Sequence, residues 1–257
     1  MNDFKIVQNA RKISNFLFYD YLNLVFENFQ ELHGDRCFAD DKSIIGGLAK
    51  LDNISVVVIG QQKGRTIKEK IKHNYGMPYP EGYRKALKLF QLAENFKLPI
   101  ITFVDTPGAY PGINAEKRGQ CMAIAKNLSS MSKLKTIIIS LIIGEGCSGG
   151  ALGISVCDKL LMLDQSYFAT ITPEGCASIL LKTNNIIKLT NNMHITPNKL
   201  IKLKIIDKKI NIKSLKKYEI KKLLQDTFKS YIRDLSKMTI NKLLKKREQK
   251  LINFGML

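Results

Sequence analysis

The sequence predicts an α/β fold with its chemistry at the C-terminal ends of buried strands. Two observations carry this. Short β-branched runs at Ile54–Gly60, Ile100–Val104 and Thr136–Ile143 each lead into a polar or Gly/Pro-rich turn, and helical patterns follow. Directly after the third run, Gly144-Glu-Gly-Cys-Ser-Gly-Gly-Ala-Leu-Gly153 places five glycines in ten residues. That order reads as strand, tight turn and helix start. The first N–H groups of a helix lack intrahelical acceptors and sit at the positive end of its dipole. Glycine removes the side chains that would keep a ligand from those donors. Such a turn can cradle a phosphate or hold an oxyanion.

In chain order, Phe18, Leu22, Val25, Phe29 and Leu32 recur at helical spacing and predict one amphipathic helix over 15–32. The stretch 34–41 is turn-rich, and Ile44–Leu51 reads as a short strand before the β-branched strand Ile54–Gly60. Lys63 and Arg65 flank Gly64 in the loop that follows. Pro78 and Pro80, between Gly76 and Gly82, keep 74–82 irregular. Tyr83, Leu87 and Phe90 predict a helix over 83–96 that Pro99 ends. The strand Ile100–Val104 runs into Asp105-Thr-Pro-Gly-Ala-Tyr-Pro-Gly112, followed by a helix over 115–131. After the third strand come a short helix to about Cys157 and strands at Lys159–Leu163 and Tyr167–Ile171. Thr172 then suits an N-cap with Pro173 at N1. Helices are expected over 197–203, 214–230 and 239–252, and no solenoid-type repeat occurs.

Composition narrows the function classes. At 257 residues, 45% apolar and 25% charged, the chain suits a soluble globular protein with a sizeable core. No apolar stretch reaches the roughly 18–20 residues of a membrane span, and the N-terminus shows no signal core. A cytosolic location is expected. Five cysteines, widely spaced and without a CxxC pair, argue against a disulfide framework or closed zinc site. They read as small buried fillers, with Cys147 and Cys176 in Gly-containing turns as the conceivable reactive thiols. His33, His73 and His194 are too dispersed for a metal cluster. Of the net charge of +19, residues 182–257 carry +15, with 20 Lys/Arg against 5 Asp/Glu, which leaves +4 for the rest. No recognition helix, RNP pair or zinc finger accompanies that charge, so nucleic-acid binding is not expected as the main function. A surface attractive to CoA or an acidic partner remains open.

The motifs decide among chemistries. A Walker loop is absent. Gly144-Glu-Gly-Cys-Ser-Gly149 satisfies GxGxxG, but it follows a later strand than a dinucleotide fingerprint requires. Asp105-Thr-Pro-Gly108 resembles a GTPase turn without its P-loop. Gly146-Cys-Ser-Gly-Gly150 matches a hydrolase elbow, yet His194 is the sole histidine after Ser148 and has no matching context. The turns Pro107-Gly-Ala109 and Gly149-Gly150 follow successive strands and would share one sheet edge if the strands are parallel. There their N–H groups could stabilise an oxyanion, or the glycines could serve only close helix–strand packing.

Six longer motifs occur in order: Glu31-Leu-His-Gly-Asp-Arg36, Gly60-Gln-Gln-Lys-Gly-Arg65, Gly76-Met-Pro-Tyr-Pro-Glu-Gly-Tyr-Arg-Lys-Ala86, Pro99-Ile-Ile-Thr-Phe-Val-Asp-Thr-Pro-Gly-Ala-Tyr-Pro-Gly112, Gly144-Glu-Gly-Cys-Ser-Gly-Gly-Ala-Leu152 and Pro173-Glu-Gly-Cys-Ala-Ser-Ile-Leu180. Together, over about residues 10–207, they closely resemble the carboxyltransferase α subunits of bacterial and plastid acetyl-CoA carboxylases. The resemblance implies a crotonase (ClpP/enoyl-CoA hydratase-like) fold, a spiral of ββα units with a helical C-terminal region. It implies one carboxyltransferase domain over 1–257, with a helical lead-in at 1–33, an α/β core at 34–181 and a basic helical region at 182–257.

The implied reaction moves a carboxyl group from carboxybiotin to acetyl-CoA, giving malonyl-CoA for fatty-acid biosynthesis. The resemblance places the biotin on a separate biotin carboxyl carrier protein, loaded by biotin carboxylase. It places zinc in a separate β subunit of an α2β2 assembly, none in this chain, and the whole in the cytoplasm or plastid stroma. It assigns Gly149 and Gly150 as backbone donors to the biotin ureido oxyanion. Lys63, Arg65, Gly108, Ala109, Tyr110, Arg118 and Gly146 are candidates for lining the pocket or subunit interface, each with a packing or salt-bridge role as the alternative. A related acyl-CoA carboxyltransferase or decarboxylase, or a non-catalytic assembly subunit, are the competing functions.

Three departures from the family pattern stand out. A long N-terminal helical extension is expected ahead of Gly34-Asp-Arg36 and is not seen. Cys147 replaces a glycine, and Lys208–Lys213 replaces a Pro/Gly-rich, His-containing loop. The Lys, Ile and Asn enrichment suggests drift in a reduced, AT-rich bacterial or plastid genome.

Overall fold

Strands β2 (Ile44–Leu51) and β3 (Ile54–Gln61) form an antiparallel hairpin in continuous register from Ile44↔Gln61 to Leu51↔Ile54. The computed structural model describes residues 2–182 and 185–254. Beyond β3 the sheet becomes parallel: β4 (Ile100–Thr106), β5 (Ile138–Cys147), β6 (Lys159–Leu163) and β8 (Lys208–Ile210). The short strand β7 (Tyr167–Ala169) joins the far end of β5, and β1 (Glu27–Glu31) closes the other edge against β2. Every residue of β4 and β5 is buried, as expected for parallel strands covered on both faces.

Side-chain alternation sorts that burial into two layers. On one face Ile100 and Val104 of β4 pack with Val7 of α1 (Asp3–Ala10), Tyr83, Leu89 and Phe90 of α4 (Pro80–Asn95), and Met131 of α6 (Gln120–Lys133). On the other, Ile101 and Phe103 meet Phe18, Tyr21 and Leu22 of α2 (Phe18–Val25) and Leu224 and Phe228 of α11 (Lys217–Ser236). On the first of these faces, Thr102 donates its hydroxyl to Ser140 across the β4–β5 ladder at 2.7 Å.

The structure differs from the sequence expectation at identifiable places. The helix expected over 15–32 ends at Val25. Phe26 is extended, Asn28 has φ 52°, and Glu27–Glu31 pairs with Lys50, Leu48 and Gly47 of β2. The open edge of β2 needs backbone partners, and that need overrides the helical spacing of Phe29 and Leu32. Gly47 permits the crossing, since a Cβ there would lie 1.9 Å from the Gln30 carbonyl oxygen.

The helix α3 (Ile67–Lys72) has a Thr66–Glu69 capping box, a legible signal that the motif reading passed over. Helix α4 begins at Pro80, which sits at N1 and therefore starts the helix rather than only preceding it. The helix expected over 115–131 divides at Gly119, φ 82°, into α5 (Ile113–Lys117) and α6. Strand β5 runs four residues past Ile143, so Gly144 and Gly146 are strand residues, and the tight turn falls at Ser148. Helix α7 (Ser148–Leu152) is shorter than the expected run to Cys157. Thr172 caps α8 (Pro173–Gly175) as its sequence predicts, accepting from the Gly175 N–H at 3.1 Å. A π-helix, Cys176–Leu181, follows.

The basic C-terminal region is built into the fold through particular contacts. Helices α9 (Ile186–Asn192) and α10 (Pro197–Lys202) lead to β8, whose Lys208–Ile210 pairs with Leu161–Leu163. In α12 (Ile240–Ile252) Arg247 is 1% exposed. Its guanidinium forms a fork on Asp158 at 2.8 Å and donates to the carbonyls of Met131, Leu134 and Thr136. Lys250 and Lys159 share Asp207.

Candidate active site

The ends of β4 and β5 place two glycine turns in backbone contact. After β4, Thr106 accepts from the Gly108 N–H at 3.0 Å and donates to the Gly108 carbonyl at 2.7 Å, closing a tight loop. Gly108 has φ 150°, a conformation that favours glycine. After β5, Ser148 has φ 58° and starts α7, with Gly149 and Gly150 in its first turn. A Cβ on Gly150 would lie 2.5 Å from both the Gly108 carbonyl carbon and the Ala109 nitrogen. Gly150 is therefore required by packing. A Cβ on Gly149 would meet nothing closer than Ile124 at 3.7 Å.

Two polar side chains fix this turn from behind. Gln61 donates to the Gly150 carbonyl at 2.8 Å and accepts from the Asp105 N–H at 3.1 Å. Tyr83 donates its hydroxyl to the same carbonyl at 3.1 Å. The Gly149 and Gly150 N–H groups, in contrast, have no acceptor among the described residues. They border a cavity of about 660 Å³ walled by Pro107, Ala109, Tyr110, Ile124 and Ile171. Gly149 also borders a second, largely apolar cavity of about 640 Å³, lined by Leu152, Phe168, Met193 and Leu200.

Behind the turns lies a buried ion network. Lys63 Nζ reaches Asp105 Oδ1 at 2.7 Å and Glu145 Oε1 at 2.8 Å. Glu145 Oε2 accepts from the Tyr167 hydroxyl at 2.5 Å and Arg11 Nε at 2.7 Å, and Arg11 also pairs with Glu174. Burial opposes the ionisation of Glu145, but Lys63, Tyr167 and Arg11 outweigh it and hold its carboxyl at about 2. Burial pushes Asp105 upward, and the charge of Glu145 adds to that push. Burial also raises the Cys147 thiol to about 11, so it stays protonated at neutral pH; it donates to Tyr167 at 3.4 Å.

The residues singled out in the sequence separate into two groups. Gly108, Ala109, Tyr110, Gly149 and Gly150 share the cavity. Lys63 belongs to the ion network behind it. Arg65 is a surface group paired with Asp20 at 2.5 Å. Arg118 pairs with Glu81 at 2.6 Å and lies over the rings of Phe38 and Tyr79. Tyr79 in turn packs against Tyr110 at a tilt of 32°, with centroids 4.2 Å apart, so Arg118 braces the cavity wall at one remove. Gly146 lies inside β5 between Thr106 and Phe168, where a Cβ would come within 2.9 Å of the Phe168 ring. Motif reading missed Gln61, Asp105, Glu145, Tyr167 and Arg11. Gln61, Asp105 and Glu145 lie inside the glycine motifs, whereas nothing local marks Tyr167 or Arg11.

Ser148 and His194 line the same apolar cavity, but no hydrogen bond joins them, and the histidine is exposed. Among the described residues no group of three His, Cys, Asp or Glu could hold a metal ion.

A family model described as "Acetyl co-enzyme A carboxylase carboxyltransferase-like" matches residues 1–255. The chain belongs to this family. Acetyl-coenzyme A carboxylase carboxyl transferase subunit alpha of Francisella philomiragia subsp. philomiragia is 61% identical over 208 residues, 80% of this chain and 66% of the relative. The subunit of the same name from Francisella tularensis subsp. novicida is 60% identical over 211 residues, 82% of this chain and 67% of the relative. The chain thus spans about two thirds of the length of these relatives.

Two solved structures place this carboxyltransferase-family chain in the crotonase fold. Transcarboxylase 12S, with methylmalonyl-coenzyme A bound, superposes with a TM-score of 0.70 at 17% identity, over 88% of this chain and 44% of that one. A Pseudomonas malonate decarboxylase hetero-tetramer in complex with coenzyme A gives 0.63 at 14% identity, over 81% of this chain and 85% of that one.

Proposed function

We propose that this chain is the α subunit of an acetyl-CoA carboxyltransferase. It would transfer the carboxyl group of carboxybiotin, carried on a separate carrier protein, to acetyl-CoA. The product is malonyl-CoA, which enters fatty-acid biosynthesis. A separate β subunit completes an α2β2 assembly in the cytoplasm or plastid stroma, alongside biotin carboxylase.

The observation that carries this reading is the pair of N–H groups at Gly149 and Gly150. Neither has an acceptor among the described residues, both glycines border the cavity, and a Cβ at Gly149 would meet nothing closer than Ile124 at 3.7 Å. That donor set fits a ureido oxygen. Carboxybiotin supplies the activated carboxyl group, and negative charge develops on the ureido oxygen as that group leaves. Two fixed N–H donors stabilise the charge without reorganising, worth ~10²–10³ in rate per donor. Ala109, Tyr110 and Ile124 wall the cavity beside the two donors. No side-chain nucleophile is needed, in keeping with a protonated Cys147 and an unrelayed Ser148.

The test mixes the chain with its β subunit and follows malonyl-CoA formation from acetyl-CoA and carboxybiotin. Malonyl-CoA decarboxylation in the presence of free biotin reports the reverse direction. Turnover of a different acyl-CoA in place of acetyl-CoA would move the assignment to a related carboxyltransferase. Assembly with the β subunit but no turnover of any acyl-CoA would leave a structural subunit.

A further inference from the structure

Strands β4 and β5 fall out of simple register just before the two glycine turns. Val104 pairs with Ile142, but Thr106 pairs with Gly146, so one residue of β4 faces three of β5. The ladder is repaired there by a side chain. Asp105 Oδ1 accepts the Glu145 N–H at 2.9 Å, and a Cβ on Gly144 would lie 2.3 Å from the same oxygen. The carboxylate therefore fills the bulge. Lys63, from the loop after β3, spans the Asp105 and Glu145 carboxylates. Its stem lies against Gly76, where a Cβ would come within 2.6 Å of Lys63 Cγ. Three residues beyond Asp105 is Gly108; four and five beyond Glu145 are Gly149 and Gly150.

We propose that Lys63 is a positioning residue for the reaction, an ionic clamp that fixes the ends of β4 and β5 so that the Gly108–Ala109 and Gly149–Gly150 turns hold the oxyanion donors in place. The inference rests on the proposed carboxyltransferase function for its catalytic consequence. Lys63 itself touches no part of the cavity. It ties the two strand ends together, while Arg11 and Tyr167 hold the far oxygen of Glu145. Removing the cation leaves two neighbouring buried carboxylates with one shared tie fewer, and their repulsion opens the bulge upstream of both turns. A displacement of the donors by a fraction of an ångström weakens a preorganised hydrogen bond far more than it weakens substrate binding.

The experiment compares the full-length Lys63→Met variant with the wild type by two readouts. Hydrogen–deuterium exchange of the chain alone should show faster exchange, by roughly tenfold or more, in peptides covering 106–112 and 144–152, with 123–131 unchanged. In the complex with the β subunit, kcat should fall by about 10–10²-fold while KM for malonyl-CoA stays within about twofold. Wild-type exchange in both turns, or a variant that changes KM and not kcat, overturns the clamp. If Lys63→Met does not fold, Lys63→Gln removes the same cation while keeping an amide donor beside Asp105 and Glu145, and the same two outcomes apply. A wild-type complex that makes no malonyl-CoA would sink the proposed function instead, and the exchange measurement would still decide the clamp.

Discussion

Gly150 and Ala109 touch backbone to backbone, with no room for even one methyl group between their turns. At Gly149, one residue earlier, a Cβ would make only an ordinary contact with Ile124 at 3.7 Å. The two glycines therefore separate a packing requirement from an access requirement. Gly150→Ala should lower stability by about 1–3 kcal/mol, because backbone rather than a flexible side chain would have to move. Gly149→Val should melt close to the wild-type temperature yet lose ~10²–10³ in kcat as its branches cover the donors. Thermal melts and malonyl-CoA formation by each variant check both, and full activity in a folded Gly149→Val would remove Gly149 from the site.

Arg247 makes the basic C-terminal region structural at one point. Replacing it with Met keeps most of the volume but strands the buried Asp158 carboxylate and three carbonyl oxygens. Breaking such a pair from one side costs about 3–5 kcal/mol. Urea titration of Arg247→Met should show a loss of that size, whereas Lys245→Ala, on the same helix, should change stability by about 0.5 kcal/mol or less.

Glu145 links the ion network to acid stability. Its carboxyl is held at about 2, below the ordinary 4.5. A depressed folded value contributes stability that is full above about pH 4.5 and is lost as pH falls toward about 2. The size is at most about 3 kcal/mol. Unfolding of the wild type and Glu145→Gln, compared from pH 7 down to pH 3, should show a gap that narrows steadily below pH 4.5. A gap independent of pH would mean that the carboxylate is not held by its partners.

Thiol chemistry offers a further check on the site. Cys37 and Cys121 are exposed, and Cys147, Cys157 and Cys176 are buried. Burial lifts the Cys147 thiol to about 11. A disulfide reagent at pH 8 should modify two thiols quickly in the native protein and all five in denaturant. Rapid modification of Cys147 would contradict its packing against Tyr167.

Much of the α/β frame was legible because its signals are local. Burial on both faces demands β-branched runs, and these marked β3, β4 and the first part of β5. The glycine turns were visible too, since a contact such as Gly150 on Ala109 tolerates no other residue. The boundaries were less legible. Phe29 and Leu32 carry helical spacing, but the unpaired edge of β2 drew Glu27–Glu31 into a strand. Ile143 looked like the end of β5, but pairing with Tyr167–Ala169 carries that strand on to Cys147.

The sequence by itself marked the two turns and the glycines that form them, while their meeting depended on the parallel pairing of β4 and β5 that the structure shows. Only the tertiary structure decided what the charged residues nearby do. Lys63, Arg65 and Arg118 look alike as cations near glycine motifs, yet one clamps two strand ends, one pairs at the surface and one braces Tyr79. Arg11 meets Glu145 across 134 residues of chain, and Arg247 meets Asp158 across 89. Glycine requirements follow from local backbone contacts and so appear in the pattern. A cation's role depends on which distant carboxylate the fold brings within 3 Å, and no local pattern records that.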